Sequence, residues 1–275
     1  MARLPLPAGR YASLVGAQDK RENAHMTDDV VITERHGRVA LIRLNRPEKR
    51  NAINAALSRG LCDAVAAHQD AGCIVITGSD PAFCAGLDLK NLGVEKLADL
   101  PSYSEALAAS QTPMIAAVNG PAATGGFEVA LACDFIVASE KAAFADTHVR
   151  VGVYPGPVLV DLPRRIGMAW AREMSMTGNF VDAATALRIG LANHVVPHEA
   201  LLPFAMKLAE AIAEQDKRMI TAMRRDWDES MHLPMAQARE VHARHATEGG
   251  WRSGAGADIA ARREAVLARS REQRG

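Results

Sequence analysis

The chain has 275 residues, enough for one large domain or two small ones with a substantial buried core. Its 32 basic and 32 acidic residues balance, which argues against a dedicated nucleic-acid or membrane-surface binder. No apolar run approaches the ~20 residues of a membrane-spanning helix. The four cysteines (Cys62, Cys73, Cys84, Cys133) lie in apolar stretches without zinc or redox spacing, pointing to buried thiols in a reduced, cytoplasmic protein.

Residues 1–25, with Pro5, Pro7, Gly9, Gly16 and the run Asp19-Lys20-Arg21-Glu22, show neither helical nor strand period and read as a mobile extension. Met26 stands just before the first strand as a candidate start. Val30 to Glu34 and Val39 to Leu44 alternate around His36-Gly37, a hairpin pattern. Residues 51–68 place Ile53, Leu57, Leu61, Ala64, Val65 and His68 on one helical face. A strand at 73–78, a turn at 83–89, a helix at 102–110 and a strand at 114–118 follow. Then come a turn and helix over 124–133 and a strand over 134–138. Beyond Pro157 the pattern is helical at 157–166, 168–176, 182–190, 199–214, 217–230, 234–248 and 256–270, apart from strand-like His194-Val195-Val196. The alternation predicts an α/β core over 26–197 and a helical region over 198–275. Leu201, Leu202, Phe204, Met206, Ile212, Met219, Ile220 and Met223 are more apolar positions than a thin helical appendage buries on itself, so packing on a partner subunit is expected.

Two strand-to-helix turns carry the chemistry. After the apolar run Met114–Val118 come Asn119-Gly120-Pro121-Ala122-Ala123-Thr124-Gly125-Gly126-Phe127-Glu128. After Ile74-Val75-Ile76-Thr77-Gly78 come Phe83-Cys84-Ala85-Gly86-Leu87-Asp88-Leu89. Glycines let backbone N–H groups approach a ligand, and two such N–H groups converging on one oxygen form an oxyanion hole. Glu128 then stands beside that anion site as an acid or base; the bland reading is a carboxylate stabilising a helix start. Cys84 reads as a buried residue filling its turn rather than a nucleophile. Glu240, His242, His245 and Glu248 lack an HExxH pattern and read as a solvated face rather than a metal site.

Together with Leu44-Asn45-Arg46-Pro47, Asn51-Ala52, Ala132-Cys133-Asp134, Phe144-Ala145, Gly152-Val153-Tyr154-Pro155-Gly156 and Leu187-Arg188-Ile189-Gly190-Leu191-Ala192, these segments resemble the enoyl-CoA hydratase/isomerase (crotonase) family, from about Val30 to the C-terminus. The resemblance implies a spiral of ββα turns with a C-terminal helical trimerisation region, and a homotrimer or dimer of trimers. It implies an acyl-CoA thioester as substrate, coenzyme A as part of that substrate, and no separate cofactor or metal. The oxyanion donors it implies are the N–H groups of Leu87 and Gly125. The CoA site it implies involves Lys49, Arg50, Ala85, Gly86, Leu87, Asp88, Leu89 and Lys90. Thr124 replaces a glycine often found first in its run, which is tolerable unless the position needs a positive φ. The family's hydratases place two glutamates around one water. Glu128 matches the first, but the second position is His148, which puts the two-carboxylate mechanism in doubt without excluding hydration. His148 reads equally as a pocket-lining residue, Asp146 is a possible partner for it, and Tyr154 either closes the acyl pocket or packs in the core. Hydration of a 2-enoyl-CoA is the expected reaction; the alternatives are a single-base enoyl-CoA isomerase and a non-catalytic acyl-CoA binder.

Overall fold

The computed structural model describes residues 29–88 and 102–251, with residue 263 and residues 266–271 near the C-terminus. The expectations for residues 1–25, Leu89 and Lys90, and most of the helix at 256–270, lie outside the described residues.

β1 (Val31–His36) and β2 (Val39–Leu44) form the expected antiparallel hairpin, with Val31 opposite Leu44. The chain continues through α1 (Ala55–Ala67), β3 (Cys73–Gly78), α2 (Tyr103–Ala108), β4 (Met114–Val118), β5 (Pro121–Ala123) and α3 (Gly125–Leu131). Next come β6 (Phe135–Ser139), β7 (Ala143–Ala145), α4 (His148–Val151), α5 (Val158–Ile166), α6 (Met168–Thr177), β8 (Val181–Asp182) and α7 (Ala183–Arg188). β9 (His194–Val196), α8 (Leu201–Ala213), α9 (Lys217–Ser230) and α10 (Met235–Glu248) complete the described elements.

One sheet runs β1-β2-β3-β4-β6-β9, parallel from β2 onward, and a smaller sheet runs β5-β7-β8. Their connection gives the spiral. β4 leads into β5 and β6 into β7, with β4 pairing β6 and β5 pairing β7. The layer before them repeats the step, since β3 leads to Cys84, which bridges Ala122 of β5. Each turn of chain therefore stacks a long strand and a short segment on the turn before, the crotonase-like arrangement. The three-residue strands β5 and β7 leave no readable period, which is why the sequence did not reveal them.

Alternation along the central strands buries both sheet faces. Ile74, Ile76, Met114, Ala116, Ile136 and Ala138 join the core that includes α1, α3 and α5. Cys73, Val75, Ile115, Ala117 and Val137 face the other way onto α8, which meets them with Leu201, Ala205, Ala209 and Ala213. The alanine spacing of four keeps one side of α8 smooth, so helix and sheet pack closely. Leu202, Phe204, Met206 and Ile212 also pack against this face while staying partly exposed, so the subunit's own sheet takes up part of their apolar surface.

The helix expected from residue 51 begins at Ala55, capped by Asn54, whose side chain accepts the Leu57 N–H at 3.0 Å. Asn51 is buried with φ 55°, and its Nδ2 donates to the carbonyls of Ser79 and Ala82, each at 2.7 Å. That bracket ties the start of α1 to the turn after β3.

Gly126 of α3 lies against that same turn. A Cβ built there would fall 2.2 Å from the Cys84 carbonyl oxygen and 2.6 Å from the Cys84 Cβ, contacts that only backbone movement relieves. Gly126→Ala should lower unfolding free energy by about 1–3 kcal/mol or more, measured by denaturant titration. An unchanged midpoint would contradict this packing.

Candidate active site

The two glycine turns come together as expected. The first is held by Ala85 N–H to the Arg50 carbonyl (3.0 Å), Ile53 N–H to the Gly86 carbonyl (2.7 Å) and Asp88 N–H to the Ile53 carbonyl (2.9 Å). The second is held by Ala123 N–H to the Cys84 carbonyl (3.0 Å) and Thr124 N–H to the Ala145 carbonyl (3.1 Å). Leu87 and Gly125 follow these anchors, and among the described residues neither N–H donates to a protein acceptor. A small cavity of about 60 Å³ opens beside the turns, lined by Leu87, Thr124, Thr147, His148, Val151 and Val153 among others.

Thr124 takes φ 47° and ψ −120°. The position does require a positive φ, so the threonine is strained, at a cost of roughly 1–3 kcal/mol that the surrounding packing must offset.

Glu128 projects from α3 and is buried, 8% exposed. Its Oε1 accepts the Val158 N–H at 3.4 Å, and its Oε2 accepts the Tyr103 hydroxyl at 3.4 Å. Burial pushes its carboxyl above the usual range; the Val158 N–H, the charge of His148 and the Tyr103 hydroxyl offset this only in part. A Cβ on Gly156 would come within 2.8 Å of Oε1, so that glycine leaves the carboxylate its room. Tyr103 was not legible as a site residue. It sits on α2, far along the chain, and approaches only because Gly125 lacks a side chain: a Cβ there would lie 2.5 Å from the tyrosine oxygen.

His148 opens α4 and is 5% exposed. Its Nδ1 lies 2.6 Å from Oδ1 of Asp146, which is fully buried. Burial alone would lower the imidazole pKa, but the hydrogen bond and charge of Asp146, with the charge of Glu128, outweigh it and the net shift is upward. For Asp146 burial opposes the charge, and the His148 hydrogen bond and charge prevail, holding the carboxyl below its usual range. With Nδ1–H committed to a carboxylate, Nε2 is the nitrogen left for chemistry, and among the described residues it has no partner.

Lys49 and Arg50 are exposed beside the first turn, and Ala85 is exposed within it, while Gly86 is buried. The Asp88 carboxylate is engaged by Arg46 at 3.2 Å in a pair with little solvent exposure. Tyr154 neither packs in the core nor lies buried over the cavity; it is 86% exposed. Asp134 ties elements together, accepting the Met114 N–H at 2.7 Å and pairing with Arg224 at 2.7 Å. Burial pushes the Cys84 thiol up to about 12, and its Sγ donates to the Asn51 carbonyl, so it is no nucleophile.

Two other constellations have structural duties. Glu240, His242 and Glu248 are exposed as expected, but His245 is buried; His242 pairs with Asp226 at 2.6 Å and His245 with Glu229 at 3.0 Å, joining α10 to α9. Ser139, His198 and Asp80 form a chain with links of 3.0 and 3.1 Å, but the serine is fully buried and already accepts the Lys141 N–H, so it pins β6 to neighbouring segments. No group of three or more His, Cys, Asp or Glu among the described residues is arranged to hold a metal ion.

Residues 34–250 match the model of the enoyl-CoA hydratase/isomerase family. The chain belongs to that family. It is 39% identical over 228 residues to a probable enoyl-CoA hydratase of Rhizobium meliloti, a match covering 80% of this chain and 89% of the relative. The crystal structure of an enoyl-CoA hydratase from Mycobacterium tuberculosis H37Rv superposes with a TM-score of 0.68 at 38% identity, covering 80% of this chain and 99% of that one. A putative enoyl-CoA hydratase/isomerase from Mycobacterium abscessus gives a TM-score of 0.76 at 28% identity, covering 87% and 96%. His148, paired with Asp146, lines the cavity beside the two turns.

The pair should be visible in solution. A histidine raised on folding contributes stability that is complete below the unfolded value of ~6.5 and is lost as pH rises through the folded value. Asp146→Asn should move the His148 ring titration downward in NMR spectra and shrink that pH-dependent stability. A midpoint that stays or rises would contradict the assignment of Asp146 as the cause.

Proposed function

We propose that the protein is an enoyl-CoA hydratase, adding water across the C2–C3 double bond of a 2-enoyl-CoA. The observation that carries this reading is the pairing of Glu128 with His148, two buried titratable groups that act on each other electrostatically beside two unengaged backbone N–H groups. Family membership and relatives described as enoyl-CoA hydratases support it.

The chemistry follows from the thioester. As water oxygen attacks C3, charge builds on the carbonyl oxygen as an enolate, and the N–H groups of Leu87 and Gly125 are assigned to receive it. One such donor is typically worth about 3 kcal/mol of barrier. Water loses a proton to one member of the Glu128/His148 pair, and C2 gains a proton from the other. Two titratable groups that act on each other suit both tasks, because one member accepts a proton while the other delivers one. Tyr103, whose phenol is pushed upward by burial, remains a neutral donor that orients Glu128. The isomerase alternative needs one base and no water, so a second titratable group weighs against it.

For coenzyme A, the exposed Lys49 and Arg50 and the backbone from Ala85 to Asp88 form the proposed binding edge, with Leu89 and Lys90 continuing it by family resemblance. The Asp88 carboxylate is better suited to holding Arg46 than to touching the ligand. Four free cysteines, three of them buried, support a reducing compartment such as the cytoplasm; no described helix is long and apolar enough to cross a membrane.

A homotrimer or dimer of trimers is the proposed assembly. Met219, Met223, Trp227 and Met231 recur every four residues along α9 and are each at least 40% exposed, an apolar stripe that a second copy would cover. Sedimentation at micromolar concentration should give a trimer or larger, and a monomer would contradict it.

Incubation with crotonyl-CoA should yield the 3-hydroxyacyl thioester, and Glu128→Gln should slow this by ~10²–10⁴-fold while CoA-ester binding survives. Conversion of a 3-enoyl-CoA without hydration would favour the isomerase. Binding without turnover, unchanged in Glu128→Gln, would favour a non-catalytic role.

A further inference from the structure

Thr124 occupies backbone angles that suit glycine, φ 47° and ψ −120°, and it does so beside another special position. Gly86 of the first turn has φ +87°, and a Cβ built on it would fall 1.7 Å from Thr124 Oγ1 and 2.8 Å from the Ala123 carbonyl oxygen. The threonine side chain therefore fills the space that a side chain at 86 would need. Its hydroxyl reaches the Ala85 carbonyl oxygen at 3.5 Å, linking the second turn to the first. The residue after Gly86 is Leu87, and the residue after Thr124 is Gly125. One side chain is thus wedged directly before both unengaged N–H groups, and it also lines the small cavity with His148.

We propose that Thr124 is a positioning residue: its side chain sets the spacing between the Leu87 and Gly125 N–H groups, and so their grip on the thioester oxygen. The proposal rests on the oxyanion role given to those two groups. Donors act on a developing oxyanion at about 2.7–3.1 Å, so a few tenths of an ångström in the gap between the turns matter. Glycine at 124 would relieve the backbone but leave a void against Gly86, letting the turns slide. Serine would keep the hydroxyl link and lose only a methyl group. A threonine that merely filled space would affect stability and leave the chemical step alone.

The test compares Thr124→Gly, Thr124→Ser and the parent protein with crotonyl-CoA as probe. It measures kcat, KM and thermal midpoint, and the ultraviolet red shift of the bound enoyl thioester in a Glu128→Gln background, where turnover is slow. Thr124→Gly should lose at least about tenfold in kcat with KM within about twofold, because a donor misplaced in the transition state leaves ground-state binding largely intact. Its red shift should shrink, its thermal midpoint should not fall, and Thr124→Ser should recover most of the rate. A Thr124→Gly variant with kcat within about twofold of the parent overturns the proposal. So does a loss of rate that follows a lower thermal midpoint while the red shift is unchanged. If the parent protein neither hydrates crotonyl-CoA nor shifts its absorption, the oxyanion reading itself fails, and this inference with it.

Discussion

The arrangement depends on one close contact, the seating of the α3 turn on the turn that follows β3. Parallel pairing stacks β3 and β4, and the bridge from Cys84 to Ala122 carries that stacking outward into the second layer. Gly126 then meets the Cys84 carbonyl at a distance that excludes any side chain. The same contact brings together the turns that carry Leu87 and Gly125, and among the described residues neither N–H donates to a protein acceptor. Binding geometry is therefore a product of the core: sheet register sets how far apart the turns lie, and small residues set how closely they approach.

Around that frame, burial and charge set the acid–base chemistry. The Glu128 carboxyl is pushed upward by burial, and the His148 imidazole is pushed upward by Asp146 and by the charge of Glu128, so each group's affinity for a proton depends on the other. Asp146 makes the histidine workable. An isolated buried imidazole would be driven neutral by desolvation, whereas a carboxylate at 2.6 Å restores its affinity for a proton and fixes which nitrogen carries hydrogen. The Asp–His pair is thus equipped to hold and release a proton at Nε2.

Much of this was readable from the chain. β3 and β4 appear in the sequence at their observed bounds, because a buried strand writes its apolar run directly, and β9 is read at its bounds from His194-Val195-Val196 although none of its residues is buried. The paired glycine turns and Glu128 were legible because close backbone approach leaves glycine as its mark. The rest was hidden for physical reasons. Three-residue strands such as β5 and β7 owe their existence to neighbouring layers rather than to local pattern. Asn51 looks like a helix start, yet a buried bracket takes it out of the helix. Tyr103 reaches Glu128 only through tertiary packing, and the strain at Thr124 is a dihedral that no residue type announces. The apolar positions of α8 pointed to a partner subunit, and the sequence did not show that part of their surface covers this subunit's own sheet.

The central claim is that one thioester oxygen sits between Leu87 and Gly125 while Glu128 and His148 address the same substrate. A crystal structure with a non-reacting acyl-CoA analogue tests it most directly. The account predicts the carbonyl oxygen within about 2.7–3.1 Å of both backbone nitrogens. It also predicts the Glu128 carboxylate and the His148 Nε2 within reach of one water beside the acyl C3. A carbonyl bound away from these two nitrogens, or a His148 Nε2 turned from the acyl chain, would contradict it.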